Sequence, residues 1–455
     1  MIFVGVDWAE DHHDICVMAE DGRVLGKRRV PDSVAGIGEL HDLVAEHAED
    51  DETVVVGIEI DRGLIVTALL GAGYEVFAIN PMASSRYRDR HAVSGAKSDT
   101  GDAKVLADLV RTDRHNHRPV SGDSDLVEGI KLLARAHQSA IWGRQRQLNT
   151  LRSALREYYP GALAAFGTDL SHGDAVEVLQ VAPTPELGRG MSRSKIASAL
   201  RRGGRQRNIE RRAEQIQSAL RADYLEAPST IAKAYGIVTR SALGLIASFS
   251  REIALLEAAL SEHFETHPDA KIVRSLPGIG TVLGARVLGE FGDDRTRFSN
   301  AKCRKNYAGT SPVTKASGRS HIVLARFARN RRLGDSLDQW AFCSINASPG
   351  ARTYYDELRA RGKTHRQSLR QLANRLVGIL HACLEDGTFY DESAAWSHRE
   401  QLAACLLRDM GCLVAHERTV RRIEPGPVAE LAPPPRQRLS SLGNVQSVRG
   451  SALRP

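Results

Sequence analysis

At 455 residues the chain is too long for one ordinary core and asks for two or three packed units. Its 62 Lys and Arg against 55 Asp and Glu leave a formal charge of +7, which suits a polyanionic partner without requiring one. Six cysteines, without a Cys-x-x-Cys pair or nearby histidines at zinc spacing, indicate neither a disulfide framework nor a structural zinc, and no apolar run approaches the about 18 residues of a membrane span. The start, with Asp7 six residues after Met1, lacks signal-peptide character, so a reducing cytoplasm and no membrane partner are expected.

Over the first 120 residues, short apolar runs alternate with turn signals. Strands are predicted at 2–7, 15–19 and 24–30, the last two joined by a Glu20-Asp21-Gly22 turn in which Asp-Gly favours a tight hairpin. An amphipathic helix follows through Ile37, Leu40, Leu43 and Val44, then a β-branched strand at 53–60, a helix at 64–70 and a strand at 74–79 stopped by Asn80-Pro81. Three strands, helix, strand, helix, strand, helix is the order of a ribonuclease-H-like α/β fold, here over residues 1–120.

Residues 121–268 read as a long helical hairpin. Apolar residues recur three or four apart at 125–159 and again at 231–264, two arms of coiled-coil type around a small helical insert at 161–228. The insert is basic: between Arg189 and Arg212 stand nine Lys or Arg, among them Arg201, Arg202 and Arg205, against the single acid Glu210. A second basic group, with Arg86, Arg88, Arg90 and Lys97, lies at 86–97, and both groups are candidate nucleic-acid contacts. A mostly α C-terminal domain is expected at 269–392, opening on the Gly-Pro-punctuated turn Leu276 to Gly280. A helical extension at 393–423 and a disordered Pro-, Ser- and Arg-rich tail at 424–455 complete the chain.

Four carboxylates stand where chemistry is expected. Asp7 closes the first strand, Glu59 lies near the end of the fourth, and Asp99 and Asp102 sit three apart at the start of a helix, sharing one face. Hard divalent cations take such oxygen ligands, and a pair of ions would stabilise the entering and leaving oxygens of a phosphodiester. Singly, each has an ordinary explanation: acids end strands and favour helix N-termini.

Val4-Gly5-Val6-Asp7, Gly57-Ile58-Glu59 and Lys97-Ser98-Asp99-Thr100-Gly101-Asp102-Ala103 closely resemble the motifs of the DEDD transposases of bacterial insertion sequences, relatives of the Piv invertase. The resemblance covers residues 1 to about 390. It departs at Ser98, where the family more often has Thr, a change that touches nothing catalytic. It implies a resolvase-like ribonuclease H domain with Asp7, Glu59, Asp99 and Asp102 as catalytic ligands of Mg²⁺ (or Mn²⁺). It further implies a DNA substrate comprising element ends and target, a structured non-coding guide RNA, a homo-oligomer (dimer or tetramer), and a bacterial cytoplasmic setting.

Tyr307-Ala308-Gly309-Thr310-Ser311-Pro312 and Ala316-Ser317-Gly318-Arg319 resemble the family's second domain, in which a serine before glycine is the nucleophile; carried over, it is Ser317. From the residues alone, Ser-Gly in a polar loop is an ordinary turn, and Ser311 and Ser320 stand equally near. A hydroxyl is a weak nucleophile that needs a neighbouring base or metal.

Gly278 and Gly280 either present backbone N–H groups to phosphate or simply make an interhelical turn. Arg319, Arg326, Arg329, Arg331 and Arg332 are candidate phosphate contacts against a default of solvated surface. Trp8 is expected in the core, and His12 and His13 before the second strand, neither as a ligand. Two other functions compete: a metal-dependent junction endonuclease that hydrolyses with the carboxylates alone, and a nucleic-acid-binding protein without catalysis.

Overall fold

In the computed structural model, the described residues are 1–49, 52–91, 99–117, 119–120, 122–318, 320–327 and 329–397. The molecule is mostly helical, with a mixed sheet at its N-terminus. Strands β1 (Ile2–Trp8), β2 (His12–Met18) and β3 (Val24–Pro31) run as an antiparallel meander, and β4 (Val54–Ile58) and β5 (Glu75–Ala78) join parallel to β1, giving the order β3-β2-β1-β4-β5. Between and after them come helices α1 (Val34–Ala45), α2 (Leu64–Gly71), α3 (Pro81–His91) and α4 (Asp99–Asp113).

Strand alternation decides which helix covers which face. Val4, Val6, Ile15, Val56 and Ile58 pack against Leu40 and Leu43 of α1 and Leu69 of α2. Phe3, Val55 and Phe77 point the other way, onto Leu106 and Val110 of α4.

Two expectations from the sequence fail here. Strand β2 starts at His12 rather than Ile15, because polar residues at its beginning find charged partners: fully buried His13 reaches Asp32 at 3.3 Å through Nε2, and buried Asp14 pairs with Arg29 at 2.7 Å. Trp8, expected in the core, ends β1 beyond the covering helices and is 45% exposed.

The two long helices are α5 (Asp125–Tyr158) and α11 (Ser229–Thr266), with α6 (Pro160–Phe166), α7 (Gly173–Val181), α8 (Pro185–Arg189), α9 (Arg193–Arg202) and α10 (Ile209–Arg221) between them. Thirty-four residues of α5 span about 50 Å at 1.5 Å per residue. The long helices run antiparallel: Gly143 faces the Phe249 ring, and farther along α5 the Tyr158 hydroxyl meets Thr239. Leu179, Ile196, Leu200, Ile216 and Leu220 of the short helices share one core with Leu155, Tyr158 and Ile246.

The chain continues through α12 (Ala270–Ser275), α13 (Thr281–Phe291), α14 (Ala301–Tyr307), a hairpin of β6 (Val313–Ser317) and β7 (Ser320–Leu324), then α15 (Arg331–Ala347), α16 (Pro349–Ala360) and α17 (His365–Asp386). At Gly278 the backbone has φ +76°, and a Cβ there would lie 2.6 Å from the Cys343–Ser344 backbone. Buried Trp340 donates from Nε1 to the Pro277 carbonyl at 2.9 Å. Close packing on α15 therefore accounts for Gly278. Met1–Glu392 make one compact unit. Most of the extension expected at 393–423, and all of the tail at 424–455, lie outside the described residues. Among the described residues no helix is long and apolar enough to cross a membrane.

Candidate active site

Gly5 of β1 and Gly57 of β4 are register partners in the parallel pair, so two positions without side chains lie side by side at the middle of the sheet. Helix α4 uses this gap. A Cβ on Gly5 would come 1.8 Å from the Ala103 carbonyl oxygen, and one on Gly57 would come 2.7 Å from that of Leu106. The helix thus lies on the strand backbones themselves, running antiparallel to β1 with its first turn at the strands' C-terminal ends. Two residues past Gly5, on the same face by strand alternation, stands Asp7, and two past Gly57, one residue beyond the end of β4, stands Glu59. Asp102 immediately precedes Ala103 and is 8% exposed. Asp7, Glu59 and Asp102 are therefore gathered at one end of the sheet from three separate segments. Asp99 is the first residue of α4, one turn before Asp102; its side chain lies outside the described residues.

The gathered carboxylates are engaged by α3. Ser84, buried, donates its hydroxyl to Oε1 of Glu59, and Nη2 of Arg88 lies 2.6 Å from Oδ1 of Asp102. The two are one helical turn apart on the same face of α3. Tyr87, between them, donates to Asp108 of α4 at 2.9 Å and lies 3.1 Å from Thr112, fixing α3 along α4. Asp14 extends the acidic end: it is paired with Asp7 in the β1–β2 register and carries Arg29 as its counter-ion. Ser84, Arg88, Asp14 and the two glycines were missed by sequence reasoning as parts of the site; the paired Gly-x-Asp and Gly-x-Glu were the available signal.

A divalent cation fits the donor chemistry, since Asp7, Glu59 and Asp102 offer only hard oxygens. Among the described residues, no three acidic, histidine or cysteine side chains form a ready-made cage. Arg88 supplies a positive charge at Asp102, through Oδ1 of that carboxylate.

Ser317 stands elsewhere. It is the last residue of β6, opposite Ser320 across a turn opened by Gly318 at φ +53°. Every hairpin strand residue except Val313 is exposed, so the hairpin stands clear of the helices. The sequence placed this serine in a polar loop; the structure puts it at a strand end. Ser311 precedes the hairpin and is half-buried.

The candidate nucleic-acid contacts divide. In the insert, Arg201 pairs with Glu210 at 3.1 Å, Arg202 with Glu177 at 3.0 Å and Arg205 with Asp174 at 2.6 Å. Arg193 pairs with Glu214, and Arg189 with Glu226. Much of the basic excess seen in the sequence is thus balanced by acids brought in from α7, α10 and the segment before α11. Arg86 and Arg90 are exposed on α3. Lys97 and Arg319 lie outside the described residues. Gly280 is the N-cap of α13. Arg329 packs over Gly309 and Gly334 and pairs with Asp338 at 3.1 Å, while Arg332 reaches the Arg135 carbonyl at 2.9 Å and lies over Trp142; both serve the fold.

Comparison with known proteins returns one family by two separate segments. The IS110-type DEDD family described as Transposase matches residues 4–160, and that described as Transposase IS116/IS110/IS902 family matches residues 270–356. A mini-circle putative transposase for IS117 from Streptomyces coelicolor is 43% identical over 407 residues, covering 89% of this chain and 98% of that protein. The insertion element IS110 uncharacterized 43.6 kDa protein of the same organism is 29% identical over 391 residues, covering 86% and 95%. The insertion element IS900 uncharacterized 42 kDa protein of Mycobacterium paratuberculosis is 29% identical over 393 residues, covering 86% and 97%.

Proposed function

The chain belongs to the transposases of the IS110, IS116 and IS902 insertion elements, enzymes that cut and recombine DNA, and from that premise we propose that its chemistry is divided between a ribonuclease-H-like carboxylate site and Ser317. The observation that carries this reading is α4 laid over Gly5 and Gly57 through Ala103, Leu106 and Ala107, with Asp102 next to Ala103 and Asp7 and Glu59 two residues past the glycines. The sheet order, three antiparallel strands followed by two parallel ones, supports the fold assignment. A binder without catalysis would gain nothing from acids where phosphate must approach.

In this reading Asp7, Glu59, Asp99 and Asp102 hold Mg²⁺ or Mn²⁺, which supplies Lewis-acid stabilisation of charge on the phosphoryl oxygens. Ser317 attacks phosphorus: its oxygen forms the new P–O bond, the bond to one DNA oxygen breaks, and that oxygen takes up a proton as the serine gives one up. The covalent phosphoserine keeps the ester bond for rejoining, where hydrolysis would discard it. The exposed hairpin suits a nucleophile delivered to DNA held at the carboxylates of the same or another subunit, and recombining two duplexes takes more than one active site, hence a dimer or tetramer. Guidance by a structured RNA follows from the family resemblance and belongs to the same reading.

The test is recombination of a supercoiled plasmid carrying the element's ends, with the flanking locus supplied for RNA, by wild type, Asp102→Asn and Ser317→Ala. Loss of joining in both variants, with protein covalently attached to DNA in trapped wild-type reactions, is expected. Normal recombination by Ser317→Ala refutes the serine step. Cleavage by that variant without any protein–DNA adduct in wild type leaves the endonuclease that works through the carboxylates alone.

A further inference from the structure

Helix α3 carries two side chains, Ser84 and Arg88, that reach two carboxylates from different elements, Glu59 at the end of β4 and Asp102 in the first turn of α4. Neither contact follows from packing a helix on a sheet. Each places a donor against an oxygen that the proposed function assigns to a cation.

The Arg88 contact is the stronger of the two. Its guanidinium lies 2.6 Å from Asp102, with the two side chains only 22% and 12% exposed, so water screens the pair weakly. Its Nε is buried without a hydrogen-bond partner among the described residues, so the side chain is not held there by a full set of its own bonds. A surface arginine would keep all five N–H groups solvated. This one gives up solvation to face a carboxylate, and several acids gathered at one sheet end would repel one another without a nearby positive charge.

We propose that Arg88 is a cation-responsive latch: it neutralises Asp102 while the carboxylate site is empty and must release it when a divalent cation binds. The inference rests on the carboxylate reading above and adds a residue to it. Arg88 and the cation draw on the same carboxylate charge, so part of the cation's binding energy is spent weakening the ion pair. Ser84 and Arg88 sit on one helix, and Tyr87 ties that helix to α4, so α3 stays in place and release is a movement of the Arg88 side chain. Arg88 is thus a positioning residue whose place in the sequence, inside a basic run, suggests a nucleic-acid contact instead.

The test is Mn²⁺ binding to the full-length protein without DNA, by calorimetry, with thermal melting in the absence and presence of Mn²⁺. The proteins compared are wild type, Arg88→Met, Arg88→Lys and Asp102→Asn. Wild type should bind Mn²⁺ and Asp102→Asn should bind it much more weakly. Arg88→Met should bind it roughly tenfold more tightly than wild type, a partly buried ion pair being the competitor removed. Its melting temperature should fall without Mn²⁺, where the carboxylates now repel, while its rise on adding Mn²⁺ should exceed that of wild type.

An arginine with a merely structural role predicts equal losses of melting temperature with and without Mn²⁺ and an unchanged affinity, which overturns the latch and leaves the metal site standing. If wild type fails to bind Mn²⁺, the metal site falls and the latch with it. Should Arg88→Met not fold, Arg88→Lys decides: its single ammonium, on a differently shaped side chain, should give tighter Mn²⁺ binding than wild type, and unchanged or weaker binding overturns the proposal.

Discussion

Replacing Gly5 with alanine adds one methyl group at the point where α4 rests on the sheet. The new Cβ would sit 1.8 Å from the Ala103 carbonyl oxygen and 2.5 Å from the Ala107 nitrogen, both backbone atoms that no rotamer change can move. To restore ordinary contact, α4 must back away by about 1.6 Å along its first turns, and overpacking of this kind costs about 1–3 kcal/mol, here at the upper end. The same shift carries Asp102 away from Asp7 and Glu59, and a misplacement of about 1 Å at a catalytic group is worth on the order of a hundredfold in rate. Gly57→Ala meets its nearest backbone atom at 2.7 Å, so its loss should have the same sign and be smaller. At Gly38 in α1 an added methyl group would meet nothing within 4 Å, and Gly38→Ala should stabilise the protein by about 0.5–1 kcal/mol through helix propensity. Urea denaturation gives the stabilities, and plasmid recombination gives the activity. A Gly5→Ala protein as stable and active as wild type would refute the claim that α4 bears directly on the strand backbone.

Three further outcomes follow from buried polar groups. Tyr158→Phe removes a hydroxyl that lies 2.5 Å from the Pro183 carbonyl and 2.8 Å from Oγ1 of fully buried Thr239; with its partners left unpaired, a loss of about 1–3 kcal/mol in urea stability is expected. Burial pushes the Glu290 carboxyl up, but Arg135, at 2.7 and 2.9 Å, and Asn330, at 2.6 Å, hold it below its usual range. With a folded value below the unfolded one, the stability it contributes is whole above about pH 4.5 and is lost as pH falls through the folded value; Glu290→Gln should flatten that part of the acid limb in urea titrations run against pH. Arg286 is 5% exposed; among the described residues its Nε has no hydrogen-bond partner, its Nη2 lies 3.2 Å from His137, and desolvation lowers its pKa. Arg286→Met should leave the melting temperature unchanged or raise it, since a buried cation without a bonded carboxylate stabilises little.

What the sequence discloses differs from region to region for physical reasons. The sheet was readable because its strands are short apolar, β-branched runs and its turns carry Asp-Gly and Asn-Pro, and the long helices because their apolar residues repeat over more than thirty positions. The start of β2 was hidden because His12, His13 and Asp14 are polar and find their partners, Asp11, Asp32 and Arg29, only in the folded chain. The hairpin β6–β7 was missed although Val313 to Leu324 contains a two-residue turn opened by glycine, since its strands are short and almost wholly exposed and leave no core pattern. The basic stretch from Arg189 to Arg212 looked like a polyanion surface because counting along the chain sees Glu210 but not Asp174, Glu177, Glu214 and Glu226, which fold back onto it.

The candidate site divides in the same way. Asp7, Glu59, Asp99 and Asp102 could be picked out because a carboxylate at a strand end or a helix start is a chemically marked residue, whatever lies around it. The parts played by Gly5, Gly57, Ser84 and Arg88, the last marked in the sequence only as a candidate nucleic-acid contact, rest on contacts between segments remote in the chain: a carbonyl oxygen where a methyl group would be, a hydroxyl on Glu59, a guanidinium on Asp102. The sequence could thus name the acids, but not the charge that balances them when no cation is bound. That balance governs cation affinity, because a cation entering an uncompensated cluster is drawn in by every acid, whereas one entering this cluster has first to displace Arg88. A conservative Asp or Glu replacement and a replacement of Arg88 should therefore move cation affinity in opposite directions, which pattern reading along the chain has no means to anticipate.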